Sequence, residues 1–134
     1  MSAWRKIAIE KLPQHRGLID RSQSVGMLWV DLWLIFVDAH QPPLDEATIK
    51  SVYEFASWCM AKSGNADIET STICHFYEDL PTEPFVRREL SKHMTRQDFL
   101  GMIEVFKYHL SSDEHDSFVR EFLDNKNFLL DDAI

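Results

Sequence analysis

The chain has 134 residues, the length of one ordinary domain, with 45% hydrophobic and 27% charged residues. Nine Phe, four Trp and three Tyr supply enough apolar surface for a core, which argues against a disordered chain. Four Gly and five Pro are too few for the frequent turns of an all-β fold.

The net charge of −8 is unevenly distributed along the chain. Residues 1–24 contain five basic and two acidic residues, a net charge of +3, whereas residues 25–134 contain nine basic and twenty acidic residues, a net charge of −11. The acidic segment 25–134 should repel the phosphate backbone of a nucleic acid, so we expect no nucleic-acid binding. The same charge favours a protein partner with a basic surface. An acidic surface that only keeps the protein soluble is the simpler alternative.

The cysteine content and the first residues indicate a cytoplasmic protein. Two cysteines, Cys59 and Cys74, do not make a disulfide framework, and both fall within helical patterns, so we expect buried thiols. We recognise no secretory leader before the domain, that is, no basic start followed by an apolar core and a cleavage site of small residues.

The first predicted elements are short. In residues 1–12, Ile7 and Ile9 alternate as in a strand, but no pairing partner lies nearby, so we interpret this segment as an N-terminal arm. Residues 13–21 predict a short helix with Pro13 at its first position.

The most apolar stretch, GMLWVDLWLIFVDAH at residues 26–40, predicts a central helix. A membrane span needs about 20 apolar residues, and this run is shorter and contains Asp31, so we expect no membrane association. Ser22 or Ser24 can cap the start of the helix, and Pro42 ends it. One wide apolar face carries Val25, Trp29, Leu32, Trp33 and Phe36.

Asp31 and Asp38 share the narrow polar strip of this helix, opposite the apolar face. A partly buried carboxylate at Asp31 is costly unless it is paired. Three explanations stay open for Asp31: a structural ion pair with an Arg or Lys of a neighbouring helix, a position open to water or a partner, and a catalytic carboxylate with a raised pKa.

Five further amphipathic segments with capping residues predict helices in the rest of the chain. They cover about 45–62, 67–80, 83–91, 96–110 and 112–124, with caps at Asp45, Thr82, Thr95 and Ser111 and a left-handed Gly64 after the first. The tail, 125–134, is apolar enough at Phe128, Leu129 and Leu130 to dock. The sequence therefore predicts an all-α fold: one compact domain, 1–134, of six to seven short helices packed antiparallel.

Three stretches give the chain a resemblance to a family: LWVDLWLIF (28–36), CHFYEDLPTEPFVRREL (74–90) and EVFKYHLSSDEHDSFVREF (104–122). They resemble a pattern found in small uncharacterised helical proteins of bacteria. The resemblance covers about a third of the chain. It implies a compact helical fold and a bacterial origin, and it implies no catalytic residue because that family has no established activity.

The chain lacks the common motifs for phosphate loops, zinc sites, di-iron sites and serine nucleophiles, so no cofactor is implied. The best constellation is His75, Glu78 and Asp79, which share one face if a single helix contains them. They could bind a divalent metal or act in catalysis, or they could form a solvated ion pair at a helix end.

Three functional hypotheses follow. The first is a protein–protein interaction module, such as an adaptor, an inhibitor or an immunity-type antagonist. The second is a metal-binding protein or enzyme centred on His75, Glu78 and Asp79. The third is a structural homo-oligomer with part of the Trp29–Trp33–Phe36 face at the subunit interface.

Overall fold

The computed structural model describes residues 1–128, which form helices and no strand, as the sequence predicts. The α-helices of this part are α1 Ala3–Lys11, α2 Arg16–Arg21, α3 Val25–Ala39, α4 Glu46–Ala61, α5 Ala66–His75, α6 Pro84–Glu89, α7 Arg96–Gly101, α8 Ile103–Phe106 and α9 Ser112–Phe128. Three 3-10 segments cover Pro13–His15, Tyr77–Thr82 and Leu90–Lys92. The described residues thus contain nine α-helices rather than six or seven.

Backbone contacts divide the chain into two compact units. The first unit is Met1–Phe76, with α1 to α5, and the second begins at Tyr77 and contains α6 to α9. The single domain over 1–134 and the antiparallel packing of successive helices stay predictions.

The ends of α3, α4 and α5 follow local capping signals. The Ser24 hydroxyl accepts a hydrogen bond from the Met27 backbone N–H at 3.2 Å, and the Asp45 carboxylate accepts one from the Thr48 backbone N–H at 3.2 Å. Gly64 has φ +60°, the left-handed conformation predicted after α4. These predicted boundaries are therefore confirmed, and α5 gains its cap from Asn65 just before the predicted start.

The prediction of an arm at residues 1–12 was wrong, because Ala3–Lys11 forms α1. Helix-favouring residues dominate this segment, and its inward positions repeat every four residues: Ala8 and Leu12 are fully buried and Trp4 is half-buried. Helix α1 packs on α4, and the Arg5 guanidinium donates hydrogen bonds to the backbone carbonyls of Ile19 and Ser22. Burial against a distant helix thus decides the conformation.

The core of the first unit is aromatic and centres on α3. Trp29 stacks on Phe76 at a ring distance of 5.0 Å and lies 5.3 Å from Phe55 of α4, while Phe36 contacts Phe76 edge-on at 5.1 Å. Trp29 and Phe36 are fully buried within the chain, which removes them from any subunit interface. Trp33, which the sequence places on the same apolar face, is only half-buried and contacts Phe36 at 5.6 Å.

The helix predicted over 67–80 ends at His75, where Phe76 leaves the helical conformation with φ −125° and ψ −66°. Pro81 has no backbone N–H, and its ring clashes with the carbonyl four residues earlier in an α-helix. The segment Tyr77–Thr82 is therefore a 3-10 helix. Thr82 does not cap α6 as predicted, because its hydroxyl donates to the Asp79 carbonyl at 2.6 Å and Glu83 precedes the helix.

In the second unit, the helix predicted over 96–110 is divided into α7 and α8 at Gly101 and Met102. Because glycine is a poor helix former, interrupting the helix at this position costs little free energy. The predicted capping residue Thr95 is confirmed, since its hydroxyl accepts from the Asp98 backbone N–H at 3.0 Å. The core of this unit is a cluster of four buried rings: Phe99, Phe106, Phe118 and Phe122.

The tail predicted at 125–134 begins inside α9, which continues to Phe128. The docking predicted for Phe128, Leu129 and Leu130 lies outside what the structure describes. Among the helices of residues 1–128, none combines the length and the apolarity needed to cross a bilayer.

Candidate functional site

Three large apolar side chains are exposed on one side of α3. Met27 is 51% exposed, Val30 is 53% exposed and Leu34 is 65% exposed. Their spacing of three and four residues places them on one helix face, and we call this set the α3 stripe. The opposite face of α3 is already buried in the core through Trp29 and Phe36. About half or more of each stripe side chain is therefore left outside the packing of the first unit.

Asp31 lies within the α3 stripe and is half-buried, as the sequence predicts. Among residues 1–128, no Lys, Arg or His lies within ion-pair distance of its carboxylate. The structural ion pair considered for Asp31 is thus not formed. Its carboxylate instead borders exposed apolar side chains, and Asp38 is exposed two turns further along the same face.

The structure does not place His75, Glu78 and Asp79 on one helix face. His75 is the last residue of α5, whereas Glu78 and Asp79 belong to the 3-10 segment that follows. A shared face for these residues requires a continuous α-helix, and this prediction was wrong because the helix ends before Glu78. A metal-binding or catalytic role for these three residues stays a prediction.

The carboxylates of Glu78 and Asp79 meet an imidazole from a distant part of the second unit. Nε2 of His109, in the turn after α8, lies 3.3 Å from Oδ1 of Asp79 and 3.6 Å from Oε1 of Glu78. The ring of Tyr108 stands edge-on to that of His109 at 5.0 Å. A protonated His109 pairs with both carboxylates, while a neutral ring can donate from Nε2 to only one.

The His109 cluster ties the 3-10 segment to the turn after α8. His109 is 39% exposed at its side chain, and ion pairs at such exposure contribute about 0–1 kcal/mol. Within the described part of the chain, no three His, Cys, Asp or Glu side chains are grouped so as to hold a metal ion. The cluster therefore has the properties of a structural contact.

Comparison with family models, with curated proteins and with solved structures gives no match. The resemblance to small helical bacterial proteins accordingly stays a prediction.

Sequence reasoning missed two features of these surfaces. On a helical wheel, Met27 and Leu34 flank the polar strip that contains Asp31 and Asp38. That position was the sequence signal for the α3 stripe. The pairing of His109 with Glu78 and Asp79 had no such signal, because about thirty residues separate the partners.

Cys74 was expected to be buried but is exposed, whereas Cys59 is a buried thiol as predicted.

Proposed function

We propose that this chain is a protein-binding module whose contact surface is the α3 stripe. The observation that supports this most directly is the exposure of Met27, Val30 and Leu34 on one face of a helix whose other face forms the core. Single exposed apolar residues are ordinary on protein surfaces. Three on successive turns of one helix form a contiguous strip, and such strips are typical of contact surfaces.

The spacing of the stripe favours a particular mode of contact. Apolar side chains at positions i, i+3 and i+7 are the anchors with which a helix enters an apolar groove of another protein. Because each of these side chains is already partly covered, burying the remainder contributes about half of the 1.5–3 kcal/mol of transfer free energy for a fully exposed one, before the costs of association. The partner should therefore present an apolar groove or face about two helical turns long.

The acidic side chains on the same face determine the charge of the partner. Asp31 lies between the anchors and Asp38 lies beyond them, and residues 25–134 carry a net charge of −11. A half-buried Asp31 loses more of its hydration in a complex, so the partner must supply a compensating donor or positive charge. The proposed partner therefore has an apolar groove that is bordered by basic side chains.

Within this proposal, the chain acts as a cytoplasmic adaptor, inhibitor or immunity-type antagonist of bacterial origin. Electrostatic attraction would speed its encounter with a basic partner, and the α3 stripe would supply the final contact. The homo-oligomer is the rival hypothesis. In that case a second copy would cover the same stripe, and the like charges at Asp31 would face each other.

The test uses the double variant Val30→Ser with Leu34→Ser. Both side chains are more than half exposed, so the variant should keep the thermal stability of the parent. A partner is first isolated with the parent chain and identified, and its affinity is then measured by titration calorimetry. Loss of two anchors should weaken binding by at least about tenfold, the effect of about 1.4 kcal/mol.

The matched control is Leu100→Ser, which removes an exposed leucine from α7 in the second unit. This variant should bind the partner as the parent does. Equal affinity of the parent and the double variant would refute the proposal. A molar mass in solution that is twice the chain mass, and that the double variant returns to the chain mass, would favour the homo-oligomer instead.

A further inference from the structure

A cavity opens in the first unit where α3 ends and α4 begins. Its polar lining comes from five residues: His15, Asp38, Gln41, Asp45 and Thr48. Asp38 is in the last turn of α3, on the same side as the α3 stripe, so the cavity continues the proposed contact surface.

Two negative charges converge on this cavity. Asp38 lies near the C-terminus of α3, where the helix dipole already places partial negative charge and where the last turn contains no basic residue. The pKa of Asp45 is lowered, first by the hydrogen bond from the Thr48 hydroxyl at 2.7 Å, then by that from the Thr48 backbone N–H. Asp45 is therefore ionised at neutral pH, while both of its carboxylate oxygens accept hydrogen bonds from Thr48 at the start of α4.

The remaining walls of the cavity are apolar. Ile35 and Ala39 contribute the side of α3, and Pro42 and Pro43 contribute the side of the connecting loop. A ligand that suits this lining has an aliphatic stem and a cationic head with several donors. A hydrated metal ion lacks the stem, and an anion would meet both carboxylates.

We infer that this cavity receives an arginine side chain of the partner protein, an inference that rests on the proposed function. The aliphatic stem would lie against Ile35 and the two prolines, and the guanidinium would donate to Asp38 and to the Gln41 amide oxygen. Arginine fits better than lysine because its planar head carries five donors in a fixed fork, which can reach acceptors on two segments at once. The α3 stripe would then contact apolar side chains of the partner, and the cavity would hold an arginine of the same partner.

The experiment titrates the isotopically labelled chain with N-acetyl-arginine amide and follows the backbone amide signals by NMR. The matched probe is N-acetyl-citrulline amide, which has nearly the same shape and no charge. We expect saturable shifts at residues 38–45 with the arginine compound and none with the citrulline compound. Asp38→Asn should weaken binding by about two- to fivefold, as for a partly solvated ion pair.

Two further variants separate a local effect from damage to the fold. Gln41→Glu adds a carboxylate to an exposed position of the lining and should tighten binding. Glu54→Gln removes an exposed charge from α4 outside the cavity and should leave binding unchanged. An equal response to both compounds, or an affinity indifferent to Asp38→Asn and Gln41→Glu, would overturn the inference. Because this titration requires no partner, its failure is distinct from a failure of the α3 stripe substitutions.

Discussion

The indole N–H of Trp29 is a buried polar group of the first unit. It donates to the Thr72 hydroxyl at 3.0 Å, and that hydroxyl donates to the Ile68 carbonyl at 2.8 Å, so both groups are satisfied inside the core. Cys59 lies beside them, and burial raises the pKa of its thiol to about 11, although the nearby Thr72 and Trp29 act to lower it. At neutral pH this thiol is protonated and therefore a poor nucleophile.

We expect Thr72→Val to lower the free energy of unfolding by about 1–3 kcal/mol. Valine keeps the shape of threonine but leaves the buried N–H of Trp29 without an acceptor, and this desolvation cost determines the magnitude. Urea denaturation measures the change. Thr70→Val, at an exposed position of the same helix, is the control and should change stability by less than about 0.5 kcal/mol. A Thr72→Val protein as stable as the parent would show that another acceptor replaces the hydroxyl.

At the level of elements, the start of α9 is held by a reciprocal pair of hydrogen bonds. The Ser111 hydroxyl accepts from the Glu114 backbone N–H at 3.2 Å, and the Glu114 carboxylate accepts from the Ser111 backbone N–H at 2.9 Å. This is the capping box that the sequence predicts at SSDE. The hydrogen bonds from Ser111 also lower the pKa of Glu114, because they stabilise its charged form.

This cap predicts a defined pH dependence of stability. Because folding lowers the pKa of Glu114, its contribution is fully present above the ordinary glutamate pKa of about 4.3 and is lost as pH falls through the lower folded value. Glu114→Gln should therefore be less stable than the parent at pH 7, and the difference should shrink below about pH 4. Thermal melts from pH 3 to pH 7 measure it, with the nearby exposed Asp113→Asn as control. A difference that stays constant over this range would exclude the carboxylate as its source.

Most helix ends that depend on neighbouring residues were predictable, with Thr82 as an exception, whereas elements that depend on distant contacts were not. Ser24, Asp45, Thr95 and Ser111 act within three residues of themselves, so the sequence contains the full signal for each cap. Helix α1 forms against α4, and no local pattern shows that contact. The same distinction applies to the candidate sites: Asp31 was proposed from the pattern of its own helix, whereas the contact of His109 with Glu78 and Asp79 joins distant residues.

At the scale of the whole molecule, charge is the property most relevant to partner recognition. The segment 25–134 carries −11, and a charge of one sign on a small body produces a field that extends beyond its surface. Such a field speeds encounter with a basic partner more than it strengthens the final contact. The final contact would depend on buried anchors, which the α3 stripe offers in Met27, Val30 and Leu34.

We therefore expect the association rate with an identified partner to fall steeply as salt rises, while the dissociation rate changes little. The Debye length shortens from about 30 Å at 0.01 M salt to about 8 Å at 0.15 M, which removes most of the long-range attraction. Stopped-flow or surface-based kinetics at several salt concentrations measure both rates. The Val30→Ser, Leu34→Ser variant keeps the charge, so it should show the same salt dependence of association but dissociate faster. An association rate independent of salt would mean that the acidic surface confers solubility only, and the specification of a basic partner would then be wrong.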